Sequence, residues 1–111
     1  DEEKAARSAA IQAATLFATQ VPLHTMQASF KVFELCKAMA EEGNPNSVSD
    51  AGVGVLAARA AVLGAGLNVK INASGLKDRE VADKLVGEAN ELIKKANELE
   101  TEIMKIVEDK L

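Results

Sequence analysis

A short polar segment, residues 43–50, holds the side chains best suited to chemistry in this chain of 111 residues. It combines one carboxylate, Asp50, with hydroxyl and amide groups on Asn44, Asn46, Ser47 and Ser49. A carboxylate can stabilise a cation or accept a proton, while hydroxyls and amides orient a substrate through hydrogen bonds. Because the segment opens a helix, backbone N–H groups and the positive end of the helix dipole would face the same ligand.

The same segment also has a structural interpretation. Gly43 can end the preceding helix in a left-handed conformation, and Pro45 cannot continue a helix, so the chain must turn here. Ser47, with Asp50 three residues later, resembles a capping box, and Ser49 is a second candidate N-cap. The local pattern favours capping for at least one serine, and the ligand-binding interpretation stays open for the others.

The helix that follows is too rich in glycine to be stable on its own, since each interior glycine costs about 1 kcal/mol relative to alanine. Small and amide side chains recur along one face of this helix: Gly54, Ala58, Ala61, Ala65, Asn68 and Asn72. A stripe of this kind allows another backbone to approach closely. We therefore expect a partner helix to pack along it.

The far end of this helix carries a second polar group, formed by Asn68, Lys70 and Asn72. The two asparagines lie on one face, with Gly64 one turn below leaving space beside them. A buried asparagine must be hydrogen-bonded, so the pair forms either an interhelical clamp or part of a polar pocket. Asp50 and Asn68 are ~27 Å apart along the helix. If both ends serve one site, they come from different subunits; otherwise one end is structural.

Segments 43–50, 52–54 and 60–72 closely resemble the cyclodeaminase/cyclohydrolase family of one-carbon folate enzymes. That family includes formiminotetrahydrofolate cyclodeaminase and methenyltetrahydrofolate cyclohydrolase. The resemblance extends from Val21-Pro22-Leu23 into the long final helix, and so covers most of the chain. One departure is Gly66-Leu67, where the family commonly has aromatic residues before Asn-Val.

The resemblance implies an enzyme that forms 5,10-methenyltetrahydrofolate and ammonia, with the cyclohydrolase reaction as the alternative. It implies Asp50 as the catalytic residue and a tetrahydrofolate derivative as substrate, with no separate cofactor. The substrate-binding residues that it implies are Asn44, Asn46, Ser47, Ser49, Asn68, Lys70 and Asn72. A second class of function also fits the pattern, namely a non-catalytic helical oligomerisation module in which the glycines and asparagines serve packing alone.

Family members begin with a glycine-rich segment and helices that precede the stretch present here. Residues 1–111 therefore resemble the C-terminal part of a single helical domain. We expect the N-terminal half of the same protein to be a packing partner, in the same polypeptide or as a separate chain.

Hydrophobic periodicity predicts an all-α fold of long antiparallel helices in a bundle. The first helix is expected from near Asp1 to Glu42, and the last from near Asp78 to the end of the chain. A heptad seam is predicted along the last helix: Val81, Leu85, Ala89, Leu92, Ala96, Leu99, Ile103 and Ile106. With three phenylalanines as the only aromatic residues, the core should be thin, which predicts a homo-oligomer such as a homodimer.

The composition of the chain argues against several classes of binding partner. A net charge of −4 without a basic stripe argues against nucleic acid. We expect no membrane partner, because no run of about 18 uncharged apolar residues is present, and a cytoplasmic location, because there is no basic signal segment. His24 and Cys36 are each the only residue of their type, so no soft-metal site is predicted. His24 is expected to be a partly exposed helical residue, and Cys36 a buried thiol.

Overall fold

The computed structural model describes residues 1–111 as three α-helices and one short 3-10 turn, without strands. Helix α1 spans Glu2–Glu42, the 3-10 turn Pro45–Ser47, helix α2 Val48–Ala73 and helix α3 Arg79–Asp109. The all-α prediction is confirmed, and both predicted outer helices begin and end within one or two residues of the expected positions.

Side-chain caps explain why the two outer helices begin where they do. The Asp1 carboxylate accepts a hydrogen bond from the Lys4 backbone N–H at 3.0 Å, and the Asp78 carboxylate accepts one from the Val81 N–H at 3.2 Å. Each carboxylate satisfies a backbone donor that has no partner within its helix, and it also faces the positive end of the dipole. Helix α2 begins differently, through the 3-10 turn.

Contacts between the helices define their directions. Asn72 near the end of α2 bonds to Ala18 in the first half of α1, and Arg59 of α2 bonds to Asn97 of α3 at 2.8 Å. Lys110, directly after α3, reaches Ala40 near the end of α1. Helix α2 therefore runs antiparallel to both α1 and α3, as predicted for a bundle of long helices.

The central helix α2 supplies the middle of the core. Val55, Val62 and Val69 recur every seven residues along it, and each is fully buried. On α3, the predicted seam residues Leu85, Ala89, Ala96 and Ile103 are buried. The other members of that seam are half-buried, while Ala82 and Val107, which the heptad pattern did not include, are also buried.

One sequence-based exclusion was too strict. By length and composition alone, Pro45–Ala73 could cross a membrane, because it contains a window of 18 residues with a mean hydropathy of 1.5. Because Arg59 and Lys70 interrupt the segment, it still contains no run of about 18 uncharged apolar residues. In the structure this segment lies between α1 and α3, so we interpret its apolar composition as that of a central packing helix.

The molecule is thin and elongated, measuring 66 × 18 × 15 Å. Its radius of gyration is 18.3 Å, whereas a compact domain of this length has one of about 13 Å. Only 22 of the 111 residues are buried, which confirms the expected thin core. Large apolar side chains remain exposed along α1 and α2: Ile11, Phe17, Val21, Val32, Leu35, Met39, Val53, Leu56, Leu67 and Ile71.

Candidate functional site

The predicted catalytic segment lines a cleft of about 270 Å³ where α1 ends and α2 begins. We call it the Asp50 cleft. Helix α1 forms one wall through Leu35, Cys36 and Met39. The connecting segment and the first turn of α2 form the other wall: Gly43, Asn44, Ser47, Asp50 and Ala51. The structure therefore brings Asp50 together with one of the predicted hydroxyls and one of the predicted amides.

The predicted serine caps are correct in the position of Ser47 but wrong in the hydrogen bond. Ser47 occupies the N-cap position of α2, but its side chain makes no capping hydrogen bond, and Ser49 lies inside the helix. Asn44 caps the preceding 3-10 turn, because its side-chain oxygen accepts a hydrogen bond from the Asn46 N–H at 2.9 Å. The Ser47 N–H bonds to the Asn44 carbonyl at 2.9 Å, closing the 3-10 turn that leads into α2. Since this turn guides the chain into the helix, no serine hydroxyl is used for capping.

The Asp50 carboxylate also has no partner within the chain. It lies in the first turn of α2, is exposed, and takes part in none of the three salt bridges of the chain. Its position favours a negative charge, because the backbone N–H groups and the positive end of the dipole are close by. The Ser47 hydroxyl and the Asp50 carboxylate therefore face the cleft without an internal partner, which leaves both available to a ligand.

Gly43 is needed for a reason different from the one predicted. Its backbone is extended, with φ −76° and ψ −178°, and no glycine in the chain has a positive φ. A Cβ atom at this position would lie 2.5 Å from the Met39 carbonyl oxygen. Only glycine allows the chain to leave α1 this tightly, and that exit carries Asn44 to the edge of the cleft.

Cys36 occupies the α1 wall of the cleft. It is half-buried, and burial raises the pKa of its thiol because the thiolate is desolvated. A thiol held in its protonated form is a poor nucleophile, so this residue acts as a small apolar group in the wall. Gly54 makes room for it, since a Cβ there would lie 2.7 Å from the Cys36 Sγ atom.

Two members of the second polar group, Asn68 and Asn72, line a separate groove of about 510 Å³ between α1 and α2. We call it the Asn68 groove. Its α2 side contains Asn68, Asn72 and Gly64, and nothing lies within 4 Å of the position that a Gly64 Cβ would take. The space predicted beside Gly64 is therefore present. Lys70 is exposed and does not line this groove.

Asn72 acts as a clamp between helices. Its side-chain amide donates a hydrogen bond to the Ala18 carbonyl of α1 at 2.8 Å, while Asn68 is exposed. Both alternatives for the asparagine pair thus hold in part, because Asn72 is a clamp and both residues line a groove. The small-residue stripe does have a partner helix, as predicted, and that helix is α1.

The predicted site residues therefore fall into two groups. Asn44, Ser47 and Asp50 line the Asp50 cleft, and the exposed Asn46 and Ser49 are their neighbours in the chain. The Asn68 groove shares no lining residue with that cleft, in agreement with the predicted separation. The binding and catalytic roles of all eight residues stay predictions.

Sequence reasoning missed the contribution of α1 to the cleft. Leu35 and Met39 are four residues apart, are 66% and 56% exposed, and form an apolar edge beside the polar segment. A signal for them was present, since large apolar residues at helical spacing close to a polar turn indicate a covered surface. His24 is exposed, close to the expected partly exposed position. The structure has no group of three or more side chains placed to hold a metal ion.

Comparison with known proteins shows the family to which the chain belongs. The family model described as Formiminotransferase-cyclodeaminase matches residues 1–91. Over all 111 residues, the chain is 45% identical to the methenyltetrahydrofolate cyclohydrolase of Methylorubrum extorquens and covers 53% of that protein. Over 104 residues it is 34% identical to the formimidoyltransferase-cyclodeaminase of Dictyostelium discoideum, of which it covers 19%.

The chain thus spans about half the length of the first relative and a smaller part of the second. The family match includes the Asp50 cleft and the Asn68 groove, and it ends within α3. It confirms the resemblance seen in segments 43–50, 52–54 and 60–72. The chain belongs to the formiminotransferase-cyclodeaminase family.

Proposed function

We propose that this chain is part of a methenyltetrahydrofolate cyclohydrolase. The observation that carries the proposal is the Asp50 cleft, in which a carboxylate and a hydroxyl without internal partners lie beside a helix N-terminus. The 45% identity to a cyclohydrolase over the whole chain supports this choice of reaction over the cyclodeaminase reaction that the sequence analysis placed first.

The chemistry follows from the charge of the substrate. Its one-carbon bridge joins N5 and N10 as an amidinium cation, to which water adds at carbon. The C–N5 bond then breaks, leaving a formyl group on N10 and releasing one proton. The Asp50 carboxylate stabilises the cation and accepts a proton from the attacking water. We expect the Ser47 hydroxyl and the Asn44 side-chain NH2 group, whose amide oxygen caps the 3-10 turn, to orient the water and the developing carbonyl oxygen.

The cyclodeaminase reaction is the second candidate. The description of the matching family model and the relative from Dictyostelium discoideum favour it. In that reaction N10 attacks the formimino carbon, and ammonia leaves to give the methenyl product. The same cation forms, so the same carboxylate would stabilise it. The additional requirement is a proton for the departing ammonia, which N10 releases when it attacks and which the Asp50 carboxylate could relay.

Residues outside this chain are expected to complete the site. Leu35 and Met39 at the cleft edge are more than half exposed, and they continue into the exposed apolar surface of α1 and α2. An apolar surface of this extent marks a contact with other protein. We propose that the N-terminal half present in the relatives covers it, and that homo-oligomerisation buries what remains.

The test uses the full-length protein with both substrates. We expect consumption of the methenyl substrate to give the formyl product, with no release of ammonia from formiminotetrahydrofolate. Release of ammonia at a comparable rate would select the cyclodeaminase reaction. An assembled protein that neither binds nor converts either substrate would instead support the oligomerisation module.

A further inference from the structure

The C-terminal end of α1 is acidic, and the cation that α1 itself places there is Lys37, whose Nζ atom lies 4.0 Å from the Glu41 carboxylate. The last residues of the helix, Glu41 and Glu42, are acidic, and its last turn contains no basic residue. The final carbonyl groups of a helix have no partner within it and carry the negative end of the dipole. Two carboxylates at this end are unfavourable, because they add to that negative charge.

Lys110 supplies a second cation, from a distant part of the chain, and this one binds the backbone carbonyls. Its Nζ atom donates to the Ala40 carbonyl at 2.6 Å and to the Glu41 carbonyl at 2.8 Å. The Gly43 N–H bonds to the preceding carbonyl, that of Met39, at 2.9 Å. Three consecutive carbonyls at the end of α1 therefore have donors, two of them provided by one lysine.

The turn held by Lys110 is a wall of the Asp50 cleft. Met39, Gly43 and Asn44 line the cleft, and Ala40 and Glu41 lie between the first two in the chain. Lys110 is not among the lining residues and binds the outer side of this turn. Any movement of the last turn of α1 would displace Asn44 relative to Asp50.

The end of α3 also supports the other wall of the cleft. A Cβ at Gly52 would lie 3.1 Å from a methyl carbon of Val107, so α3 packs closely on the first turns of α2. Lys37 of α1 pairs with Glu102 of α3 at 2.7 Å. Lys110 therefore extends from a helix end that is already fixed to both walls, and it lies beyond residues 1–91 of the family match.

We propose that Lys110 is a positioning residue for the reaction at the Asp50 cleft. By binding two carbonyls of α1, it sets the distance between the Asn44 amide and the Asp50 carboxylate. This inference rests on the proposed function, because it concerns the geometry of the same site. It adds a residue that touches no substrate and lies beyond residues 1–91, which the family model matches.

The test compares Lys110→Met with Lys110→Arg and two controls in the full-length protein. Gln12→Ala is the matched structural control, because Gln12 also makes two hydrogen bonds to backbone groups, those of Gly75 and Lys77, at the opposite end of the molecule. Lys105→Met removes an exposed positive charge from the same helix. The readouts are kcat and KM, together with amide hydrogen exchange of residues 43–50.

We expect Lys110→Met to lower kcat about tenfold with little change in KM, because misplacing a reacting group weakens the transition state more than the ground state. Exchange at residues 43–50 should become about tenfold faster, since local opening is no longer opposed by the lysine. Lys110→Arg should restore most of both properties, and the two controls should leave both unchanged.

A wild-type value of kcat and wild-type exchange in Lys110→Met would overturn the inference. An equal loss of kcat in Gln12→Ala would also overturn it, because the effect would then be general destabilisation. If the wild-type protein converts neither substrate, the proposed function fails. The exchange of residues 43–50 still decides in that case whether Lys110 holds the cleft wall.

Discussion

The start and the end of α2 carry similar polar side chains but use them differently. At the end, Asn72 binds the Ala18 carbonyl at 2.8 Å, and the Ser74 hydroxyl binds the Ile71 carbonyl at 2.6 Å. At the start, the Ser47 hydroxyl makes no capping bond and Asp50 joins no salt bridge. A side chain that is already hydrogen-bonded within the protein must break that bond before it binds a ligand, whereas a side chain without an internal partner need not. The difference favours the Asp50 end as the reactive one.

The largest effect is expected for Asp50→Asn. This change removes the charge that stabilises the cation, so turnover should fall about a hundredfold or more. The melting temperature should fall only slightly, because Asp50 has no salt bridge within the chain and loses only its interaction with the helix dipole. Steady-state kinetics and thermal unfolding of the full-length protein measure both. Glu34→Gln, which neutralises an exposed carboxylate on α1, is the control. Turnover of Asp50→Asn within twofold of wild type would remove Asp50 from the site.

Two glycines of α2 provide a matched pair for the packing. Gly54→Ala places a methyl group 2.7 Å from the Cys36 Sγ atom, and we expect a loss of about 1–3 kcal/mol in the free energy of unfolding. Gly64→Ala meets nothing within 4 Å, so it should stabilise the helix by up to about 1 kcal/mol. Chemical denaturation measures both changes. If the two variants had the same effect, close packing of α1 along the small-residue stripe would be contradicted.

A smaller loss of stability is expected for Asn72→Ala. Loss of the hydrogen bond to Ala18 should lower the free energy of unfolding by about 1 kcal/mol. If Asn72 serves structure alone, kcat and KM should not change. A raised KM with unchanged stability would show that this end binds substrate, as the family resemblance implies.

The smallest expected effect is on the alkylation rate of the Cys36 thiol. Burial raises the pKa of its thiol, so alkylation by iodoacetamide near neutral pH should be slower than for a thiol in the unfolded chain. Because the folded pKa lies above the unfolded value, the folded state holds the proton more tightly. The associated stability is present below the unfolded pKa and is lost as the pH rises through the folded pKa. Equal alkylation rates in native and denatured protein would contradict this interpretation.

The parts of the fold that depend on local chemistry could be predicted from the sequence. Helix α3 begins after Asp78 because that side chain caps it, and its buried face follows from the heptad spacing of Leu85, Ala89 and Ile103. The close approach of a helix along Gly54 and Ala58 follows from small side chains at helical spacing. Each of these features depends only on residues that are close together in the chain or on the 3.6-residue period of an α-helix.

The features that were missed depend on residues far apart in the sequence or on backbone detail. Ser47 looked like a cap, but the Asn44 side chain and the 3-10 turn already satisfy the backbone where α2 begins. Gly43 was assigned to a left-handed turn, whereas contact with the Met39 carbonyl is what requires glycine. Lys110 reaches the end of α1 from 70 residues away, which no local pattern indicates.

The most direct test is amide hydrogen exchange of the full-length protein with and without 5-formyltetrahydrofolate, a stable relative of the proposed product. We predict slower exchange at residues 43–51 on binding, with no change at residues 68–75. Protection confined to residues 68–75 would contradict the assignment of the reactive end. Protection of both segments would also contradict it, and would indicate that the two ends meet in one site formed by different subunits.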